Sequence, residues 1–499
     1  MASKMFMGDM PELMEIILNN LNNEIYSLYS CALVSRHWCK MSIPILWKNP
    51  FSFPSDQRPL FISQYFSSLD ENDRLVLKEH RINVKFPNSL FNYAKFLKVF
   101  DLSSIECKVR KWLEFQLASS KPYTSSIYDI INLLFKLFVE SGASLQKLDF
   151  YFSDYKINPE IFYSFGRNEQ FFSRLQDLSF GRPDFIIEND TALLKILAKN
   201  ATKISALNFY EFYPDYDTHS LHALICIIKS QEQLRRFSLT GLEFPTEFQG
   251  IISSLASQKN ALQEVIIESC ECSTEFKVLK DCKNLEILRI NDCINEEILE
   301  ASLNTLEINN YSIYASSIVQ LLTKSGTLLQ RLKLVSTEEQ IKEESLLLET
   351  LNSSCPNITY LNISNVELST EFLELIGNLQ KLQFLTLWYI DEIEDEPEIL
   401  FMQFAKLLPL TLQYLDLRHS CLSSYIDILL NNCYAPLKYL LIDHFDDEEK
   451  VKVLIEFCIR KRSLNYVGVE EGLNLNDDIK KKVEKYVTLI SCERIVVNC

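Results

Sequence analysis

The chain has 499 residues, 47% of them hydrophobic and 23% charged, which marks a globular and not a disordered sequence. Its ten glycines, about 2% where about 7% is usual, argue against folds built on glycine-rich phosphate loops. The formal charge of −17 makes a nucleic-acid backbone an unfavourable partner.

The first 50 residues stand apart from the rest. Their charges balance, with Lys4, Arg36, Lys40 and Lys48 against Asp9, Glu12, Glu15 and Glu24, so the excess negative charge belongs to residues 51–499. Met1 to Met10 lacks the apolar core of a secretory signal. Asp9 and Glu12 have capping-box spacing, and Pro11 falls in a first helical turn, where proline is tolerated. The helix predicted there carries one apolar stripe through Leu13, Ile16, Ile17 and Leu21 and a second through Met10, Met14 and Leu18. A further apolar stretch, Tyr26 to Val34, leads into Ser35-Arg36-His37-Trp38 and then Ile45-Leu46-Trp47. A unit this small with apolar residues on more than one face either docks on its own chain or meets a partner. As an alternative to partner docking, residues 1–50 serve as an amino-terminal cap, which repeat arrays need.

From there on one pattern recurs: apolar, two residues, apolar, one residue, apolar. A weak unit, Leu97-Phe100-Leu102, comes first. Thirteen clear ones run from Leu145-Leu148-Phe150 to Leu464-Val467-Val469 at a mean spacing of about 27 residues, inside the leucine-rich-repeat range of 20–29. Cys492-Ile495-Val497 is expected to close the array. The last two apolar positions are two apart, so they share one side of a short strand, and the remainder of each repeat has helical spacing, as in Leu193, Leu194, Leu197 and Ala198. One strand and one helix bury nothing alone; stacked copies make a parallel sheet with helices over its outer face. The expected fold is therefore an α/β solenoid: a leucine-rich-repeat horseshoe of about 13–15 repeats over residues 97–499, a linker or cap region at 51–96, and a small all-α unit at 1–50. The long interval from Leu97 to Leu145 leaves room for a helix around Ile127–Glu140, and the short one from Leu285 to Leu303 leaves no room for a full outer helix.

No apolar run reaches about 18 residues, so no helix is expected to span a membrane. The fourteen cysteines then read as reduced thiols of a cytoplasmic or nuclear protein. Cys270 and Cys293 occupy the repeat's Asn/Cys position, and Cys282, Cys355 and Cys433 precede a repeat's first apolar residue. A zinc site from Cys270, Cys272, Cys282 and Cys293 would need paired knuckles that are absent, so no metal and no cofactor is expected. Neither a phosphate-loop, a zinc-protease nor a serine-hydrolase motif occurs, and six histidines are too few to suggest a histidine-based centre, so no enzyme is expected. His219 and His222 read as a solvated pair on an outer helix. Lys147, Arg236, Arg289, Arg331, Lys333 and Arg418 are spread along the array and do not make an anion cradle. Lys480-Lys481-Lys482 reads as a helix face. The acids at Asp391–Glu398 and Asp446–Glu449 read as solvated helix starts, or as a landing strip for a basic partner.

The residue before each repeat's middle apolar position faces the inner side. In five successive repeats it is Tyr360, Phe384, Tyr414, Tyr439 and Tyr466. In-register strands stack such rings in one column about 4.8 Å apart. The column is either a structural ladder or a recognition face, and Trp388, Arg418 and His419 at the nearby strand ends raise the second reading.

The head supplies a more specific resemblance. Met10-Pro11-Glu12-Leu13, Ile17-Leu18, Leu21, Leu33-Val34-Ser35-Arg36-His37-Trp38 and Ile45-Leu46-Trp47 resemble an F-box over residues 9 to about 48, with Met10 where Leu is usual and Ser35 where Cys is common. Joined to the repeats, the chain resembles the F-box/leucine-rich-repeat proteins over essentially its whole length. That resemblance implies a non-catalytic substrate-recognition subunit of an SCF-type cullin–RING ubiquitin ligase. The F-box would dock on a Skp-family adaptor, and through it a cullin, and the repeats would hold a protein substrate, with no nucleic acid or membrane as partner. On this sequence the motif's apolar positions are Pro11, Leu13, Ile17, Leu18, Leu21, Leu33, Val34 and Trp38. Some of these must form the head's own core. The alternative is a ligase-independent leucine-rich-repeat scaffold.

Overall fold

In a computed structural model of the chain, the described residues are 11–21, 24–53, 59–82, 89–117, 124–151, 157–165, 168–181, 188–212, 218–241, 250–271, 274–293, 302–390, 397–443, 448–469 and 477–495. The chain divides into two compact units, Met1–Leu239 and Thr240–Cys499. The fold is an α/β solenoid whose strands follow chain order. They are β1 (Val99–Asp101), β2 (Lys147–Tyr151), β3 (Asp177–Gly181), β4 (Ala206–Phe212), β5 (Arg236–Gly241), β6 (Glu264–Glu268), β7 (Ile287–Asn291) and β8 (Thr305–Asn310), then β9 (Arg331–Ser336), β10 (Tyr360–Ser364), β11 (Phe384–Trp388), β12 (Tyr414–Asp416), β13 (Tyr439–Leu441), β14 (Tyr466–Val469) and β15 (Thr488–Ser491).

The first unit opens with three helices, α1 (Pro11–Asn20), α2 (Ile25–Ala32) and α3 (Arg36–Leu46). Ser35 starts α3 by accepting a hydrogen bond from Trp38 N at 3.3 Å, the task of an N-cap hydroxyl. The small core of this head is Met14, Leu18 and Leu28, with Leu21, Cys31, Trp38, Met41, Ile45 and Leu46 packed around it. The head then joins the array as its first rung. Lys48 O accepts from Lys98 N at 2.9 Å and Val99 N at 3.3 Å, as Lys98 O accepts from Gln146 N at 2.7 Å and Lys147 N at 3.1 Å. An aromatic collar from the region after the head fills the joint: Trp47 stacks on Tyr93 at 4.0 Å and meets Tyr65 edge-on at 5.1 Å, and Tyr65 meets Phe138 at 5.0 Å. Burial pushes the Tyr65 phenol well above its ordinary pKa. The long interval holds two helices, Leu102–Gln116 and Thr124–Glu140, so the helix expected at Ile127–Glu140 has a second beside it.

The second unit repeats the same rung. Gln330 O takes Thr359 N and Tyr360 N, Thr359 O takes Gln383 N and Phe384 N, and Gln383 O takes Gln413 N and Tyr414 N. Within the strands, alternate side chains point to the helices: Leu361 and Ile363, or Leu385 and Leu387, are fully buried on that side. A left-handed residue follows several strands, namely Ser269, Asp292, Asn365, Tyr389 and His419, and turns the chain out of the sheet. Asp, Asn and His adopt that conformation more readily than other side chains; for Tyr389 it costs about 1 kcal/mol. Residues 294–301 of the short interval lie outside the described residues.

The closing repeat differs from the sequence expectation. Tyr466 pairs with Thr488 and Val467 with Leu489, so β15 is the last strand. Cys492–Arg494 is a 3-10 turn beyond it, and Val497 is not among the described residues. The Cys492 and Ile495 side chains instead fold inward and pack with Tyr414, Tyr439 and Leu441. No helix among the described residues is long and apolar enough to cross a membrane.

Candidate binding surfaces

The head divides its motif residues between two jobs. An α-helix turns 100° per residue, so Met14 and Leu18 share one side of α1, and Leu13, Ile16 and Ile17 share another. The first pair is fully buried and the second group is exposed. Leu18, taken from the sequence as a docking residue, is therefore core. Leu21 and Trp38 are half-buried against that core. Leu33 and Val34, in the turn between α2 and α3, are 70% and 61% exposed. Pro11 begins α1, and Met10 lies outside the described residues. The sequence reading left Ile16, Tyr26 and Tyr29 out of the candidate set, yet all three are exposed. The signal for Ile16 was its place on the Leu13–Ile17 stripe.

In the second unit the aromatic column exists. Tyr360, Phe384, Tyr414, Tyr439 and Tyr466 are successive register partners. Their ring centroids are 6.4, 5.9, 6.2 and 5.2 Å apart, the last pair stacked at 12°. Arg331 extends the row, with its guanidinium 3.7 Å from the Tyr360 ring centre. Before it stands an ion-pair chain: Arg289 binds Glu264 and, at 3.3 Å, Glu307, which Arg331 also reaches at 2.9 Å.

The column is not uniformly available. Tyr414 is only 6% exposed, and its hydroxyl donates to Asp416 Oδ2 at 3.3 Å. Burial, then the Asp416 charge, pushes that phenol far above its ordinary pKa. Tyr360, Phe384, Tyr439 and Tyr466 remain half-buried. Asp416 is fully buried and is neutralised by Arg418 through two bonds, Nε to Oδ1 at 3.0 Å and Nη2 to Oδ2 at 2.8 Å. The hydrogen bond to Asp416 holds the Arg418 proton more tightly than usual. Arg418 is thus a structural cation. Its guanidinium also lies 5.6 Å from the Trp388 ring. His419 meets Trp388 edge-on and Tyr389 face-on, each at 6.0 Å, so Trp388, Arg418 and His419 do come together as the sequence suggested. Tyr389, exposed beside them, was missed because it follows the strand pattern by one residue.

The cysteines at repeat positions behave as packing thiols. Cys270 Sγ donates to Glu268 O at 3.1 Å and Cys293 Sγ to Asn291 O at 3.2 Å. Burial raises the Cys270 thiol and pushes Cys282 up to about 11 and Cys355 to about 12. Among the described residues no group of three or more His, Cys, Asp or Glu is placed to hold a metal. Cys272 of the zinc reading lies outside them, as do residues 391–396 and 446–447 of the acid clusters. Glu398 and Glu448 stand in the first turns of Pro397–Leu407 and Glu448–Lys461.

No family model and no curated protein matches the chain. Solved structures do. An internalin, InlF, from Listeria monocytogenes is 15% identical with a TM-score of 0.34, over 72% of this chain and 83% of that one. A chain from the yeast Rad7–Elc1 complex is 14% identical with a TM-score of 0.35, over 78% and 93%. A Bacteroides fragilis protein is 14% identical with a TM-score of 0.32, over 62% and 84%. The repeats of this chain are of the leucine-rich type.

Proposed function

We propose that this chain is a non-catalytic substrate receptor of an SCF-type cullin–RING ubiquitin ligase, with the head docking on a Skp-family adaptor and the repeats holding the protein to be modified. One observation supports the reading above others. The head closes its own core with Met14, Leu18 and Leu28, yet leaves Leu13, Ile16, Ile17, Leu33 and Val34 in water. Apolar side chains kept exposed on so small a unit are the mark of a partner surface. The half-buried rings of Tyr360, Phe384, Tyr439 and Tyr466, with Trp388 and His419 beside them, are the substrate-facing candidates. Such a receptor works in the cytosol or nucleus, where thiols stay reduced.

A specific observation also favours the scaffold reading. Lys48 O supplies the array's first rung, so the head caps the sheet. Capping occupies the end of α3 and its sequel, and docking needs α1 and the Leu33–Val34 turn, so one unit can do both. Co-purification decides between them. The full chain should retain a Skp-family adaptor, and Leu33→Asp with Val34→Asp should release it. Failure of the unaltered chain to retain any adaptor leaves the scaffold reading alone.

A further inference from the structure

Like charges repel, so cations in a folded chain normally stand beside carboxylates or apart from one another. Four cations of the first unit break that rule. Lys48, Lys95, Lys98 and Arg174 gather at the edge where β1–β3 begin, in a chain that carries −17. The rungs set their spacing. Lys48 O takes Lys98 N and Lys98 O takes Gln146 N, so Lys48 and Lys98 stand at successive rungs. Lys95 lies in the 3-10 turn Tyr93–Phe96 just before β1. Phe171 O takes Leu145 N at 2.8 Å, which brings the stretch that carries Arg174 beside Ser144. The half-buried Lys98 side chain crosses to Ser144 and donates to its O at 3.1 Å and its Oγ at 2.9 Å. Burial, then Arg174, Lys48 and Lys95, lower the Lys98 ammonium below its ordinary pKa. None of the four makes an ion pair among the described residues. Solvation explains exposed Lys95 and Arg174, but not a half-buried Lys98 held amid three like charges.

The donors left over describe the ligand. An ammonium has three N–H groups, and Lys98 spends two of them on Ser144. The third remains, with the ammonium groups of Lys48 and Lys95, the Arg174 guanidinium and the Ser144 hydroxyl proton. Such a set calls for an anion rich in acceptor oxygens. A lysine ammonium is a point charge suited to phosphate, and the arginine fork takes two phosphate oxygens at once. One phosphate brings about −2, half of the charge on offer, so two or three linked phosphates match the four cations. A nucleic-acid strand fits poorly. Glu232 stands further along the same edge, accepting from Thr202 at 3.1 Å, so the basic stretch is short.

We infer that Lys48, Lys95, Lys98 and Arg174, with the Ser144 hydroxyl, bind a small compound that carries two or three linked phosphate groups. The bound anion joins Lys48, two residues past α3, to Lys98 and Arg174 of the array, and so tightens the joint between head and repeats. The site lies on the strand-start edge, off the inner face, and does not rest on the receptor role.

The test uses the full chain, with tripolyphosphate, pyrophosphate, orthophosphate and citrate as probes, by isothermal titration at constant ionic strength. Tripolyphosphate should bind tightest and pyrophosphate next. Orthophosphate, and citrate as a polyanion without phosphate, should bind more weakly than tripolyphosphate by about tenfold or more. Lys95→Gln with Arg174→Gln, both at exposed positions, should weaken tripolyphosphate by about tenfold or more. The free double variant should melt no lower than the unaltered chain, and tripolyphosphate should raise the melting temperature of the unaltered chain alone. Lys98→Met should weaken binding as much. If it does not fold, the exposed double variant carries the test. Lys480→Gln with Lys481→Gln, on a separate helix, should change nothing. The inference is overturned if citrate binds as tightly as tripolyphosphate, if no phosphate probe binds, or if Lys95→Gln/Arg174→Gln leaves the affinity unchanged. An equal loss in the Lys480/Lys481 variant overturns it too, since binding would then follow overall charge.

Discussion

Truncating Tyr414 to Ala measures how far the aromatic column holds the sheet together. The ring is almost wholly buried, with Phe384 at 5.9 Å and Tyr439 at 6.2 Å as neighbours. Removing a buried aromatic ring costs about 3–5 kcal/mol, of which about 0.5–1.5 kcal/mol per neighbour is the ring–ring share. Tyr414→Phe removes only the 3.3 Å bond to Asp416, which keeps both Arg418 bonds, so about 1 kcal/mol or less is expected. Tyr439 is half-buried and its loss should cost about 1–2 kcal/mol. The order is Tyr414→Ala well above Tyr439→Ala, with Tyr414→Phe last. Repeat arrays need not unfold in one step, so the assay is native-state amide exchange in β11–β13 under increasing urea. Equal costs for the two alanine variants, or less than about 1.5 kcal/mol for Tyr414→Ala, would refute the assignment of Tyr414 to the structure and of its neighbours to recognition.

Other consequences concern the same array. Asp149 is raised to about 6, mainly by burial and then by the nearby Asp101 charge, against the weaker pull of Lys147 at 3.8 Å. A carboxyl that holds its proton more tightly when folded gives stability that is complete at about pH 4 and is lost as the pH rises through 6. Asp149→Asn should flatten that slope and stabilise the chain at pH 8 by about 1–2 kcal/mol; identical melting curves from pH 4 to 8 for both proteins would remove the argument. Gly241→Ala should cost about 3 kcal/mol in urea titrations, because a Cβ there would lie 2.1 Å from Ser269 O. Gly142→Ala, in open space but at φ +76°, should cost about 1 kcal/mol, and the reverse order would contradict the packing. Iodoacetamide should label exposed Cys107 in the native chain and spare Cys355, Cys433 and Cys458, whose thiols are pushed up to about 12, 11 and 11 by burial; mass spectrometry reads the sites.

Much of this architecture is legible in the residues. The spacing of Leu361 and Ile363, or Leu385 and Leu387, places two buried side chains on one side of a strand, and nothing but a stacked sheet satisfies many such copies. The pattern fails at the end of the array, where Ser491 occupies the last apolar position and Tyr486 the first, so periodicity pointed to Cys492-Ile495 instead. Those two side chains are apolar because they cover Leu441 and Tyr414 from the inner side, a tertiary role that periodicity does not encode. In the head, both stripes of α1 were visible, but which one faces the other helices depends on packing with Leu28 and Met41, not on α1 alone. Asn362 escaped notice for a similar reason: one polar residue between two core residues looks like any solvent-facing strand position. Only the burial imposed by neighbouring strands makes it conspicuous, with its Oδ1 making no hydrogen bond among the described residues.

The claim that matters most is that the head grips an adaptor with the side chains it leaves in water. Isothermal titration of a purified Skp-family adaptor into the full chain tests it directly, with Leu33→Asp/Val34→Asp as the surface variant and a melting curve as the control for folding. Binding by the unaltered chain, a loss of more than about a hundredfold in the variant and an unchanged melting temperature are predicted, since both residues are largely exposed and surface changes leave stability nearly untouched. Heat of binding that is the same for both proteins, or absent from both, contradicts the account.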